Sequence, residues 1–125
     1  MMPALPQGNL PVRGPDYFRD AADLAGILGG AHAVRVLCNG NDDQYWRRYM
    51  ADLLAYEAPE AGSVRSSLVA AFNAGYSETS DAFRVCDGRA VEAEARFART
   101  GEELAVRLAT HYFPKGARRG AGGFE

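Results

Sequence analysis

Four runs of helical periodicity, each closed by a turn signal, constrain the fold of this chain more than any other feature. The first run covers residues 16–38, where apolar side chains recur at three- and four-residue steps and so share one helical face. These positions are Tyr17, Ala21, Leu24, Leu28, Ala31 and Val34. Further runs cover residues 42–57 and 64–86, and a fourth begins after residue 87 and is stopped by Pro114. No segment alternates as a strand does, and short connections make consecutive helices antiparallel. The sequence therefore predicts an all-α, single-domain, four-helix up-down bundle-like array.

The turn between the first two runs carries its own signals. An Asn-Gly pair at residues 39–40 ends the first helix, because both residues tolerate the left-handed conformation. We expect Asn41 to cap the second helix, with Gln44 as its capping-box partner. Asp42 and Asp43 would then lie in the first turn, where the helix dipole favours carboxylates.

The third run contains a weak segment, residues 77–81, made of modest helix formers just after Gly75. A continuous helix and a break with Ser80 capping a short last segment both remain open. Ser63 and Asp87 are the expected caps of the third and fourth helices.

Two features indicate how the helices pack. Gly29-Gly30 interrupts the first helix among several alanines, which favours the close approach of another backbone. The second run carries a stripe of large apolar residues at four-residue spacing, which predicts a core face with the aromatic polar tips at its rim. The stripe consists of Tyr45, Trp46, Tyr49, Met50, Leu53 and Leu54.

The two cysteines, Cys38 and Cys86, end the first and third runs. In an up-down-up-down array these helices run in the same direction, so both thiols fall at the same end. This placement favours a disulfide, which would stabilise the domain by about 4 kcal/mol at most on the chain-entropy model and would imply an oxidising compartment. Two buried free thiols, or a three-ligand zinc site that includes His32, are the alternatives.

Composition narrows the function classes. The 125 residues favour one domain, and 14 basic against 16 acidic side chains leave a net charge of -2, which argues against a nucleic-acid groove. No stretch approaches the ~18 consecutive apolar residues of a transmembrane segment. We expect a flexible Pro/Gly-rich arm at residues 1–15, a helical domain at 16–113 and a disordered tail at 114–125. The first residues do not read as a signal peptide, so the chain is expected to be cytoplasmic or a mature exported form.

Three motifs carry a resemblance to a known family. They are Leu28-Gly29-x-x-His32-x-x-Arg35-x-Leu37-Cys38, Asp42-Asp43-Gln44-Tyr45-Trp46-Arg47, and Ala71-Phe72-Asn73-x-Gly75-Tyr76 with Cys86 beyond it. Over about residues 16–112 the chain resembles an uncharacterised family of small helical proteins from alpha-class proteobacteria, a domain of unknown function. Its members typically carry an export signal and two cysteines thought to pair. The resemblance implies a periplasmic setting and a disulfide, and it supplies no activity.

These observations favour a non-enzymatic periplasmic binding or protein-interaction module, with an envelope protein or cell-wall component as partner. No catalytic residue, cofactor or metal is assigned, and the binding candidates are His32, Arg35, Asp42, Asp43, Trp46 and Arg47. One alternative is a small envelope enzyme that uses His32 with Asp42 or Asp43 as acid–base groups. Another is an oligomeric structural or assembly factor, which an exposed apolar stripe on the second or fourth helix would favour. Asn73, a poor mid-helix residue, is expected to bond to the turn between the first two helices.

Overall fold

The computed structural model describes residues 14–111, with the backbone alone at residue 111. This part of the chain forms four helices and no strand: α1 (Pro15–Asn39), α2 (Tyr45–Glu57), α3 (Ser63–Ala82) and α4 (Gly88–His111). The all-α class is confirmed. The predictions for the N-terminal arm and the C-terminal tail fall almost wholly on residues 1–13 and 112–125, outside the described residues.

The directions of the helices confirm the up-down array. Gly26 of α1 lies against Gly75 of α3. Later in the chain, Cys38 near the end of α1 is bonded to Cys86 just beyond the end of α3, so α1 and α3 run in the same direction. Helix α4 runs antiparallel to α1, because Phe97 in its first half contacts Gly30 whereas Arg107 near its end pairs with Asp20 near the start of α1.

Helix α1 is the centre of the domain and packs against the other three helices. The whole predicted face is buried, and so are residues on its other sides: Ala25, Gly29, Gly30, His32 and Ala33. By length and composition α1 would also suit a membrane span, with a mean hydropathy of 1.3 in its best window, of which 56% is buried inside the domain. Its position among three neighbours accounts for this hydropathy.

Gly29 and Gly30 of α1 permit close packing by neighbouring helices, as the sequence predicts. A Cβ at Gly29 would collide with the carbonyl of Phe72 in α3, and a Cβ at Gly75 would collide with the carbonyl of Gly26. Gly30 serves a different neighbour, since its Cβ would lie 2.7 Å from the ring of Phe97 in α4. The expected backbone approach therefore occurs between α1 and α3.

Helix α2 begins later than predicted. Asn41 is not its cap and Asp42 and Asp43 are not in its first turn, because the helix starts at Tyr45. Asp43 Oδ1 accepts the Tyr45 N–H at 3.0 Å, while Gln44 Nε2 donates to the carbonyl of Asn41 at 3.1 Å. The carboxylate of Asp43 is held by side chains of α1, and this fixes residues 40–44 as a loop.

The aromatic stripe of α2 is only partly core. Met50 and Leu53 are buried, Trp46 and Tyr49 are half-buried, and Tyr45 is 41% exposed. Trp46 lies at the rim of the core, as expected for an aromatic residue with a polar tip, and Tyr45, for which the same position was expected, is more exposed and contributes little to the core.

Helix α3 is continuous through residues 77–81 and ends at Ala82. Cys86 therefore lies in the connection to α4, and the prediction that it ends α3 is wrong. Ser63 is the first helical residue of α3 and provides no side-chain cap. Asp87 is confirmed as a cap, because its Oδ1 accepts the N–H of Ala90 at 3.1 Å.

Cys38 and Cys86 form a disulfide, with their Cα atoms 5.1 Å apart. The bond joins the end of α1 to the α3–α4 connection, and it leaves no free thiol in the chain. Disulfide pairing, rather than two free thiols, is what the structure shows. The predicted pairing is correct although the predicted end of α3 is not. The connection after Ala82 begins at the end of the array where α1 also ends, so Cys86 still lies beside Cys38.

Candidate interaction surface

Arg35 is the centre of a polar network near the disulfide. Its Nε donates to Asp43 Oδ2 at 3.0 Å, and one terminal nitrogen lies 3.5 Å from Glu94 Oε2. The guanidinium also stands 4.7 Å from the centre of the Tyr45 ring, a cation–π distance. The network thus ties α1 to the loop before α2 and to α4.

Asp43 and Trp46 are the other fixed members of this network. Asn39 Nδ2 donates to Asp43 Oδ2 at 2.7 Å, and this bond, the Tyr45 N–H and Arg35 together lower the pKa of the Asp43 carboxyl. Trp46 Nε1 donates to Glu94 Oε2 at 2.7 Å. Three predicted binding residues, Arg35, Asp43 and Trp46, are therefore brought into one network: Arg35 bonds Asp43 directly and shares Glu94 with Trp46. Their contacts hold α1, the loop before α2 and α4 together.

His32 is buried in α1 and packs between aromatic rings of α3. Its ring centre lies 5.8 Å from that of Phe72 and 5.5 Å from that of Tyr76, and its exposed fraction is 7%. Burial is the main cause of its lowered pKa, and the nearby charge of Arg47 lowers it further. Its Nδ1 has no hydrogen-bond partner within residues 14–111.

The acid–base constellation considered from the sequence is not assembled. His32 makes no hydrogen bond to Asp42 or Asp43 in the described part of the chain. Asp42 is exposed, and the Asp43 carboxylate is occupied by Arg35 and Asn39. Nor does any group of three His, Cys, Asp or Glu side chains with metal-binding geometry occur between residues 14 and 111.

Arg47 belongs to a different surface. It is exposed, with one terminal nitrogen 3.5 Å from Gln44 Oε1, and it lines an open groove between α2 and α3. Both helices pack on α1 but have little contact with each other, so the groove between them stays open, with a volume of about 680 Å³.

The groove combines an apolar floor with a cationic edge. Met50 and Phe72 lie at its floor and are largely buried, Leu54 is half-buried, and Val69 is 37% exposed along the α3 wall. The charged lining residues are all arginines, namely Arg47, Arg48 and Arg65. Arg65 is oriented by a 2.9 Å hydrogen bond to the carbonyl of Ala58. We refer to this surface as the α2–α3 groove.

Sequence reasoning found one charged residue of this groove, Arg47, and missed Arg48, Arg65 and Val69. Val69 stands next to the buried stripe of α3, and a single exposed valine carries no signal by itself. Asn73 also lines the groove and is exposed, with no hydrogen bond to the α1–α2 turn, so the bond expected for it is wrong.

A second groove lies on the other side of α3, between α3 and α4, with a volume of about 640 Å³. Its charged lining is mainly acidic, in contrast to the α2–α3 groove. It consists of three carboxylates, Asp23, Glu78 and Glu103, and one arginine, Arg107. Arg107 Nε lies 3.3 Å from Asp20 Oδ2 and is thereby partly neutralised. The domain therefore presents two grooves of similar size and opposite charge.

These features define a disulfide-linked four-helix domain with an open cationic groove. The chain belongs to the family described as "Protein of unknown function (DUF2385)", whose model matches residues 16–112. The matched span agrees with the span of the resemblance, and the family carries no statement of activity, compartment or source. No curated protein and no solved structure matches the chain.

Proposed function

We propose that this protein is a non-enzymatic binding module of the periplasm, and that the α2–α3 groove is its interaction surface for an envelope protein. The observation that carries the proposal is the apolar floor left open between two helices that both pack on α1. Exposed apolar surface of this kind, rimmed by charged residues, is typical of protein-interaction sites.

The other functions considered have less support in the geometry. Asp43, the carboxylate whose charge acts on His32, is held by Arg35 and Asn39, so a substrate would have to displace structural contacts. The large exposed apolar residues are fifteen positions apart on α4 (Val91 and Val106) and eleven apart on α2 (Tyr45 and Tyr56), so within residues 14–111 neither helix presents a continuous stripe for an oligomer interface. The groove, by contrast, is open without any rearrangement.

The periplasmic part of the proposal rests on the disulfide. Cys86 is exposed and Cys38 is half-buried, so reductants of a cytosol would reach the bond. Such a staple persists in an oxidising compartment. Isolation of the protein from its own cells with both thiols free would contradict this part alone.

A peptide-display selection on the immobilised, oxidised protein tests the interaction surface. We expect enriched peptides whose binding is lost in Val69→Asp, which places a charge on the groove wall. Val106→Asp is the matched control, because that valine is also exposed on a helix but lies outside the groove. Failure to enrich any peptide, or equal binding to both variants, would contradict the proposed function.

A further inference from the structure

We infer that the partner segment that fills the α2–α3 groove is an acidic amphipathic helix. This inference rests on the proposed function and adds the chemistry of the occupant. It draws on three properties of the groove: the elements that form its walls, the sign of its charges, and its contrast with the second groove.

The walls favour a helical occupant. Helices form both walls, and no strand edge exists in residues 14–111 to which an extended peptide could add by backbone hydrogen bonds. Polyproline segments dock on aromatic-lined grooves, whereas Phe72 is the sole aromatic residue of this lining. The mode that suits an apolar groove walled by helices is a partner helix that lays its apolar face into the groove. The wall formed by α2 extends from Gln44 to Ala55, about 16 Å, which matches three turns of a docked helix.

The charges favour an acidic occupant. All three charged lining residues are arginines, although the whole chain has a net charge of -2. Arg47 and Arg48 are exposed near the start of α2, and Arg65 of α3 is held near the other end of α2 by its hydrogen bond to the carbonyl of Ala58. Asp or Glu side chains that flank the apolar face of a partner helix would meet guanidinium groups on both walls, and arginine suits bidentate pairing with carboxylates.

The second groove provides the contrast that makes the binding selective. An acidic helix on the α3–α4 surface would face Asp23, Glu78 and Glu103, and like charges disfavour that complex. The same helix therefore has one favourable groove on this domain. A basic helix would have the opposite preference.

Fluorescence anisotropy with two labelled peptides of about 14 residues tests the inference. Both carry Leu at positions i, i+3, i+4 and i+7, and the flanking positions are Glu in one peptide and Lys in the other. We expect the Glu peptide to bind the α2–α3 groove about tenfold more tightly than the Lys peptide does, counting only the binding that Val69→Asp removes, with an affinity that falls as salt rises. Arg48→Glu should weaken the Glu peptide by about tenfold. Arg99→Glu, the same charge change on the exposed surface of α4, should not.

Each other outcome overturns the inference in a distinct way. If the Lys peptide binds as tightly as the Glu peptide and Val69→Asp abolishes its binding, the charge assignment is wrong, although the α2–α3 groove keeps its proposed function. Binding of the Glu peptide that Arg48→Glu leaves unchanged places the peptide elsewhere. If neither peptide binds the wild type, a helical acidic occupant is excluded, and the display selection decides separately whether the groove binds anything.

Discussion

Gly29→Ala is expected to break the closest packing in the domain. The new Cβ would meet the carbonyl oxygen of Phe72, with the carbonyl carbon at 2.9 Å and the Tyr76 nitrogen at 3.0 Å. All three atoms belong to the backbone of α3, so no rotamer change relieves the contact. The two helices must separate.

The magnitude follows from two opposing terms. Alanine in place of glycine in a helix interior stabilises by about 1 kcal/mol. A separation of about 1 Å between α1 and α3 forfeits a quarter to a half of the dispersion energy at their contact, and overpacking a close-packed site costs about 1–3 kcal/mol, sometimes more. Because the clash is with backbone atoms, the cost lies at the upper end of this range, about 3 kcal/mol. Subtracting the helix-propensity gain leaves an expected net loss of about 2 kcal/mol, which lowers the melting temperature of a domain of this size by roughly 10 °C.

Gly101→Ala is the matched control within another helix. Its Cβ would lie 3.4 Å from Ile27 Cγ2, a side-chain atom that can move, so the helix-propensity gain should remain and the variant should equal or exceed the wild type. Urea unfolding of the oxidised proteins, followed by far-ultraviolet circular dichroism, measures both. A Gly29→Ala variant as stable as Gly101→Ala would refute the α1–α3 packing.

Three further outcomes are expected. Replacing both cysteines by serine should lower the free energy of unfolding by up to about 4 kcal/mol, as urea unfolding would show; no change would mean that the staple does not constrain the unfolded chain. Because burial lowers the pKa of His32 below 6.5, the unfolded state binds more protons, so stability should be constant above pH 7 and fall as the pH drops towards 5; His32→Gln should remove this slope, and a slope that persists would refute its origin. Trp46→Phe should cost about 1–3 kcal/mol in thermal unfolding, because it deletes the donor to Glu94; an unchanged transition would show that the bond contributes nothing.

Local patterns predicted most of the fold. The face of α1 from Tyr17 to Val34, the glycine pair and the Asp87 cap depend on neighbouring residues in the chain, and periodicity reports these directly. The same-end position of the cysteines needed only the direction of the helices. The start of α2 was misplaced because Asp43 takes its partners from α1, and no capping rule within residues 41–44 contains that information.

The surface was harder to predict than the fold. The candidate set did contain the Arg35, Asp43 and Trp46 cluster, but Glu94, which connects two of them, lies far along the chain in α4. The groove depends on how far apart α2 and α3 stand when both pack on α1. That spacing is a property of the assembled domain, so Arg48, Arg65 and Val69 had no individual signal.

The most direct test of the central claim is a titration of the ¹⁵N-labelled, oxidised protein with a peptide from the display selection, followed by amide chemical shifts. We expect the shifts to concentrate on residues 44–55 and 65–73, the two walls of the α2–α3 groove, and to disappear in Val69→Asp. Shifts centred on α4, or on the network around Arg35, would contradict the claim that the groove is the interaction surface.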